Sequence, residues 1–326
     1  MSEQNNNISK LIDQYRELLP AYEKLITEVQ YTLGEKLENT TIEIANLLGR
    51  TKKEKSLIDK LKNRNDINNL DDIPDIAGVR VVCLYEADLT KVKKIISSAF
   101  DVIKCEDKVD ALGVDRMGYR DLQFVVRFGS RFKGPRYDKL KGLNCEIQVR
   151  NALQDAWSII SHRLVYKNES SIPDKLKRDF NNVTSLLEIA QGVFENIREK
   201  RLQYLKDIAE LKDKPEDFLS QPIDHDTLIA YTKRRFPKLP TDDYINSLLL
   251  RDLDRDKFKT LADIDDAVNK AEQAVEAYWN EDSSWFTAGT DFLTKTMGFV
   301  DINFRKKHPF GEKTRDAFEK YSDLIK

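Results

Sequence analysis

The sequence predicts an α+β fold, a mixed β-sheet with helices packed on it, followed by an all-helical C-terminal region. Two observations carry this prediction. Residues 77–85, 119–128 and 144–150 alternate apolar and polar side chains with the period of two that belongs to strands. Before and after this block the apolar residues recur every three or four positions, the helical period. The chain has 326 residues, room for two ordinary domains, and 40% of them are hydrophobic, enough for a real core.

Taken in order, Ile8, Leu11, Ile12, Tyr15, Leu18, Leu19, Tyr22, Leu25, Ile26 and Val29 form one helical stripe. A second helix is predicted over 35–48, ending at Gly49, and the Lys-rich segment 50–64 reads as a third, with Leu57, Ile58 and Leu61 on its apolar side. Asp71-Asp72-Ile73-Pro74 ends the helical character and introduces the first strand. A helix over 89–100 separates the first two strands. Beyond residue 150 the helical period returns over 152–165, then as two amphipathic helices over 175–211. Asp213-Lys214-Pro215 divides a domain of residues 1–212 from a helical accessory domain of residues 213–326. In the latter, Tyr278, Trp279, Trp285 and Phe286 are expected to form a small core, and Asp224-His225-Asp226 to cap a helix N-terminus.

The charge balance excludes some functions. There are 56 acidic and 54 basic residues, a formal charge of −2, which argues against a chain built to coat nucleic acid or an anionic membrane. The first ten residues are polar, and no run approaches the ~20 apolar residues of a membrane span. A cytoplasmic protein with no membrane partner is expected. Cys83, Cys105 and Cys145 form no CxxC pair, and Cys83 and Cys145 lie in apolar strand-like runs, where they read as small core residues.

The predicted strands each have two unlike faces. Val79, Val81 and Cys83 alternate with Arg80; Leu122, Phe124 and Val126 with Tyr119, Asp121 and Gln123; and Cys145, Ile147 and Val149 with Glu146, Gln148 and Arg150. A merely solvated face would carry more Lys, Thr and Ser. This one gathers guanidinium, amide and carboxylate groups, with Asp75 at the mouth of the first strand, and reads as the floor of a ligand site. Lys52, Ser56 and Lys60 follow at i, i+4 and i+8, so a helix would stack them on one side, a column suited to a polyphosphate. On its own that column is better explained by a solvated Lys/Glu face.

Together these segments resemble the RelA/SpoT synthetase family, which makes the alarmones ppGpp and pppGpp. The resemblance rests on Arg50-x-Lys52-x-x-x-Ser56-x-x-x-Lys60, Asp75-Ile-Ala-Gly-Val-Arg80, Gly118-Tyr119-Arg120, Glu146-Ile-Gln148-Val-Arg150 and His162-x-x-x-Tyr166-Lys167, in that order. It implies a nucleotidyltransferase-like synthetase domain that moves the β,γ-pyrophosphate of ATP, with Mg²⁺, to the ribose 3′-hydroxyl of GDP or GTP. Arg50, Lys52, Ser56, Lys60 and Arg80 would hold ATP. Asp75 and Glu146 would hold the metal, Glu146 also serving as base, and Tyr119, Gln148, His162 and Lys167 would line the acceptor pocket.

The chain departs from the family where Gly118-Tyr119-Arg120-Asp121-Leu122-Gln123 lacks the usual Ser and His, so the acceptor side is the altered one. Residues 127–141 carry six basic side chains and one acidic, with Phe132 and Tyr137 among them. That pattern fits a solvated hairpin loop or an RNA contact. Some toxin members of the family modify the tRNA 3′-CCA end, so tRNA is the alternative acceptor, and a nucleotide sensor without catalysis is the third reading. With three histidines in all, the metal-dependent hydrolase module of long family members is not expected. For residues 213–326 three roles stand open: an oligomerisation element serving a homo-oligomer, a regulatory sensor, or an antitoxin-like module.

Overall fold

The computed structural model describes residues 2–64, 66–107, 122–164 and 174–326. The chain divides into two compact units, Met1–Arg198 and Glu199–Lys326.

The first unit opens with α1 (Ser2–Glu38), whose stripe of Leu11, Tyr15, Tyr22, Leu25, Val29 and Leu33 is buried. The helix stops where polar side chains take over its last carbonyls. Asn39 Nδ2 donates to the Glu35 carbonyl at 3.0 Å and Thr40 Oγ1 to that of Leu37 at 2.7 Å. The chain then enters β1 (Ile44–Thr51), so the helix predicted over 35–48 is corrected to a helix end and a strand. Ile42, Ala45 and Leu48 fit a helical period, but pairing along β2 decides the local structure. α2 (Glu54–Asn63) begins later than predicted, which leaves Arg50 on β1 and Lys52 ahead of the helix. The single-face column of Lys52, Ser56 and Lys60 is therefore corrected as well.

Next come β2 (Ala77–Cys83), α3 (Leu89–Ala99), β3 (Asp101–Asp107), β4 (Leu122–Arg127) and β5 (Cys145–Asn151). β3 has no counterpart among the strands that alternation predicts. The five strands stand in the order β1-β2-β5-β4-β3; β2 and β5 run parallel and every other pair antiparallel, the mixed sheet expected. The part of the second predicted strand at residues 119–121 lies outside the described residues.

Alternation sorts the sheet as read from the sequence. Val79, Val81, Cys83, Leu122, Phe124, Val126, Cys145, Ile147 and Val149 are all buried, and α1, α2 and α3 close over them with Leu57, Leu61, Val92 and Ile96 in the same core. Burying nine such side chains is the main stabilising term, roughly 1.5–3 kcal/mol for each large one. Burial pushes the Cys83 thiol up to about 12, with the Asp88 carboxylate adding to the shift, so it behaves as an inert core group.

α4 (Ala152–Leu164) leaves β5 through a reciprocal cap. The Asn151 side chain accepts from the Gln154 amide at 2.8 Å, and the Gln154 side chain from the Asn151 amide at 2.9 Å. α5 (Asp174–Glu210) is one helix where two were predicted. Its Gln191 accepts from Asn151 Nδ2 at 2.7 Å, and Arg198 holds the buried Asp88 at 2.9 Å.

The second unit is helical, as predicted: α6 (Pro215–Leu219), α7 (His225–Arg235), α8 (Asp243–Asp252), α9 (Leu261–Glu281), α10 (Gly289–Val300), α11 (Ile302–Lys307) and α12 (Glu312–Lys320). Asp224 caps α7 by accepting from the Asp226 and Thr227 amides, both at 2.9 Å. One core joins Leu228, Leu249, Leu261, Ile264, Leu293 and Phe304, and another Tyr278, Phe286, Phe299 and Phe318. Trp279 and Trp285 stay nearly half exposed, a correction to the expected aromatic core. Among the described residues, no helix is long and apolar enough to cross a membrane.

Candidate active site on the open face of the sheet

The strand register sets the polar side chains of the sheet in two lateral rows. One runs Arg50, Gly78, Glu146, Val125; the other Leu48, Arg80, Gln148, Gln123, Glu106. Gly78 contributes no side chain, so the first row has a gap between Arg50 and Glu146. There the sheet forms the floor of a cavity of about 370 Å³, lined by Leu48, Gly49, Arg50, Asp75, Gly78, Val79, Arg80, Glu146 and Gln148.

Asp75 sits in the turn that delivers the chain to β2. Lys52 donates to one carboxylate oxygen, and Lys60 Nζ to the other at 2.9 Å. Burial raises the Asp75 pKa, but the two ammonium groups outweigh it and hold the carboxyl below its usual range. Lys52 is pinned at its main chain too: its amide donates to the Ile76 carbonyl at 2.8 Å, and its carbonyl accepts from Tyr15 Oη at 2.5 Å.

Glu146 faces the cavity from β5, and Gln148 Nε2 donates to its Oε2 at 3.2 Å. Arg80, from β2, is held by Asp155 of α4, with Nη1 2.9 Å from Oδ1. Arg150 reaches Ser158 of the same helix, so α4 lies against the end of the polar face where these two arginines point.

Asp75, Glu146, Arg50, Arg80 and Gln148 thus share one cavity, and Lys52 and Lys60 join it through Asp75. Ser56 is exposed on α2 and is not among the lining residues. Tyr119 and Lys167 lie outside the described residues, as does the side chain of His162, whose backbone belongs to α4. Leu48 and Asp155 were missed. Leu48 was missed because its segment was read as helix. Asp155 had a signal in Asn151-x-x-Gln154, a cap pattern that fixes where α4 starts and therefore which residues its first turn presents.

The cavity offers an oxygen-only donor set of two carboxylates, Asp75 and Glu146, with no imidazole or thiolate among its lining residues. Mg²⁺ fits such a set, since it takes one or two carboxylates and leaves its other positions to water and phosphate. No group of three or more His, Cys, Asp or Glu side chains able to hold a metal occurs among the described residues.

The basic loop after β4 is tied into the fold. Arg127 donates to Asn144 at 2.7 Å, Arg131 to the Ser98 carbonyl at 2.6 Å, Arg136 to Glu28 at 2.6 Å and Lys141 to Asp138 at 2.7 Å. Phe132 and Tyr137 pack with Phe100 and Phe128, at ring separations of 4.5–6.5 Å. Interleaved aromatic and basic residues here make a small aromatic cluster with guanidinium groups clamped around it.

Residues 49–171 match the model of the region found in RelA / SpoT proteins. Two relatives from Bacillus subtilis (strain 168) are similar to part of the chain. The GTP pyrophosphokinase YjbM is 25% identical over 170 residues, 50% of this chain and 79% of the relative. The GTP pyrophosphokinase YwaC is 25% identical over 138 residues, 42% and 60% of the two chains. Among solved structures, a GTP pyrophosphokinase family protein from Streptococcus pneumoniae superposes with a TM-score of 0.50 at 23% identity, over 59% of this chain and 96% of that one, a likeness of fold. The cavity-lining residues Arg50, Asp75, Arg80, Glu146 and Gln148 all lie within residues 49–171, the stretch that is similar to the region found in RelA / SpoT proteins.

Proposed function

We propose that the protein is a pyrophosphokinase that transfers the β,γ-pyrophosphate of ATP to the ribose 3′-hydroxyl of GDP or GTP. The observation that carries this reading is the convergence of Asp75, Glu146, Arg50 and Arg80 on one cavity of the open sheet face. The names of the curated relatives support the same class of reaction, that of a pyrophosphotransferase enzyme.

In the proposed reaction the 3′-oxygen attacks the β-phosphorus. A bond forms between them, the bond from the α,β-bridging oxygen to the β-phosphorus breaks, and AMP leaves. Glu146 takes the hydroxyl proton, because a ribose hydroxyl is a weak nucleophile near neutrality and a carboxylate within reach raises its reactivity. Arg50 and Arg80 flank the floor with guanidinium forks that suit a triphosphate. Lys52 and Lys60, which hold Asp75, exchange that carboxylate for phosphate oxygens when ATP enters. A Mg²⁺ ion held by Asp75 and Glu146 would neutralise part of the triphosphate charge. Gln148, beside Glu146, keeps the base oriented.

The reading with tRNA as acceptor drew on the basic loop, and the clamped side chains of that loop offer it no particular support. Incubation with γ-labelled ATP and GDP, GTP or deacylated tRNA, with products resolved by chromatography and gel, decides the matter. Label is expected in the guanine nucleotide. Label in the tRNA band overturns the acceptor assignment, and label in no product overturns the transfer itself.

A further inference from the structure

We infer that Asp155, a residue on α4 outside the cavity lining, is a positioning residue that aims Arg80 at the polyphosphate of the donor nucleotide. This rests on the reading of the cavity as an ATP site.

Arg80 stands on the open face of β2 between Leu48 and Gln148 and lines the cavity, while its side chain is only 24% exposed. A guanidinium has five N–H donors in a rigid plane, and its long stem carries about 2 kcal/mol of rotamer entropy that must be lost before those donors serve a ligand. Asp155 takes up one of them, at 2.9 Å, from a side chain 12% exposed. One anchored nitrogen restrains the swing of the group and leaves the other donors for phosphate oxygens.

Asp155 is itself aimed by the structure around it. It lies in the first turn of α4, where the helix dipole favours a carboxylate. The reciprocal Asn151–Gln154 cap sets the start of that helix at the end of β5, and Gln191 of α5 braces Asn151 at 2.7 Å. Arg80 and Asp155 are 75 residues apart in sequence, so the pair exists only in the folded unit.

An ion pair that merely stabilises the fold would, once broken, lower activity toward both substrates together with the melting temperature. A positioning pair acts on one substrate and through one partner. The test uses the full chain with four proteins: wild type, Arg80→Ala, Asp155→Ala and the double variant, plus Asp155→Asn. Asp155→Ala is expected to raise KM for ATP about tenfold, with kcat and the KM for the guanine nucleotide within twofold of wild type. In the Arg80→Ala background it should add less than twofold, because the group it positions is gone. Asp155→Asn keeps an oxygen toward the guanidinium and should return KM for ATP to within about threefold.

Additive effects in the double variant overturn the proposal. So does an equal rise in both KM values, or an Asn variant as impaired as the Ala variant. If the wild-type protein transfers pyrophosphate to no acceptor, the functional reading fails on its own. The positioning role is then decided by titrating the same proteins with a non-hydrolysable ATP analogue, where coupling between the two positions upholds it and independent effects overturn it.

Discussion

Lys60 Nζ lies 2.9 Å from one carboxylate oxygen of Asp75, and Lys52 holds the other, so a single acidic side chain ties α2 and the segment before it to the entry of β2. Two ammonium groups on one carboxylate leave a surplus of positive charge beside the cavity. A polyphosphate would compensate it.

This pairing predicts a pH-dependent contribution to stability. The folded state holds the Asp75 carboxyl below its ordinary value of 3.8, so the unfolded chain binds the proton more tightly. The stabilisation is therefore fully present above that ordinary value and is lost as pH falls through the lower, folded-state one. Asp75→Asn should cost about 1.5–3 kcal/mol near neutrality, as expected for a hydrogen bond to a charged group. The gap from wild type should then close below pH ~3.8. Urea midpoints across a pH series measure this, read from Trp157, the tryptophan of the first unit, with Trp279 and Trp285 replaced by Phe. A gap that persists undiminished in acid would falsify the ionic origin of the effect.

The two lysines should matter for the donor nucleotide and little for the acceptor. Each forms a charge-assisted hydrogen bond with Asp75, and the proposed exchange hands that bond to phosphate. Lys52→Ala and Lys60→Ala are each expected to raise KM for ATP by about 10–100-fold, the range that corresponds to 1.5–3 kcal/mol per charged hydrogen bond. Steady-state kinetics with each substrate varied in turn measure this. An unchanged KM for ATP would remove both residues from the donor site.

How far the sequence foretold this site depends on which force sets each part of it. Period-two alternation placed Arg80, Glu146 and Gln148 on one face because burial of Val79, Ile147 and Val149 dictates the orientation of the whole strand. Cys83 and Cys145 were legible as core for the same reason. β1 was not legible. Its residues carry a helical period, and a strand appears only because β2 offers seven residues of pairing. The column of Lys52, Ser56 and Lys60 failed with it, yet Lys52 and Lys60 still meet, brought together by Asp75. The Asn151-x-x-Gln154 cap signals Asp155's place in the first turn of α4, but local pattern does not reveal its pairing with Arg80, 75 residues away.

Glu146→Gln separates chemistry from binding. Its neighbours in the lateral row are Gly78 and Val125, neither of which can take a proton. The amide keeps the size and the contact with Gln148 but has no basicity. Pyrophosphate transfer is expected to fall at least 100-fold, the lower end for loss of a general base. Affinity for a non-hydrolysable ATP analogue without added metal should stay within about threefold. Quench-flow rates and calorimetric titration give the two numbers. Retained turnover would assign the proton to another group.

Gly49 of β1 lies against Ile26 and Gln30 of α1, and a methyl group there tests the packing that holds up the cavity wall. A Cβ at Gly49 would lie 2.2 Å from Ile26 Cγ2 and 2.6 Å from Gln30 Oε1. Gln30 can swing away at the expense of its 3.0 Å bond to the Leu47 carbonyl, but Ile26 is buried and its Cγ2 is fixed to the branched β-carbon. Gly49→Ala should therefore destabilise the first unit by about 1–3 kcal/mol, the usual cost of overpacking a core. Ile26→Leu removes the offending branch while conserving volume. Combined with Gly49→Ala it should restore at least about 0.5 kcal/mol relative to additivity, since the two side chains occupy the same space. Denaturation of the four proteins followed at Trp157 yields that coupling. Strict additivity would mean that the helix yields to the methyl group by another route, and that α1 is not the rigid wall behind Leu48 and Arg50.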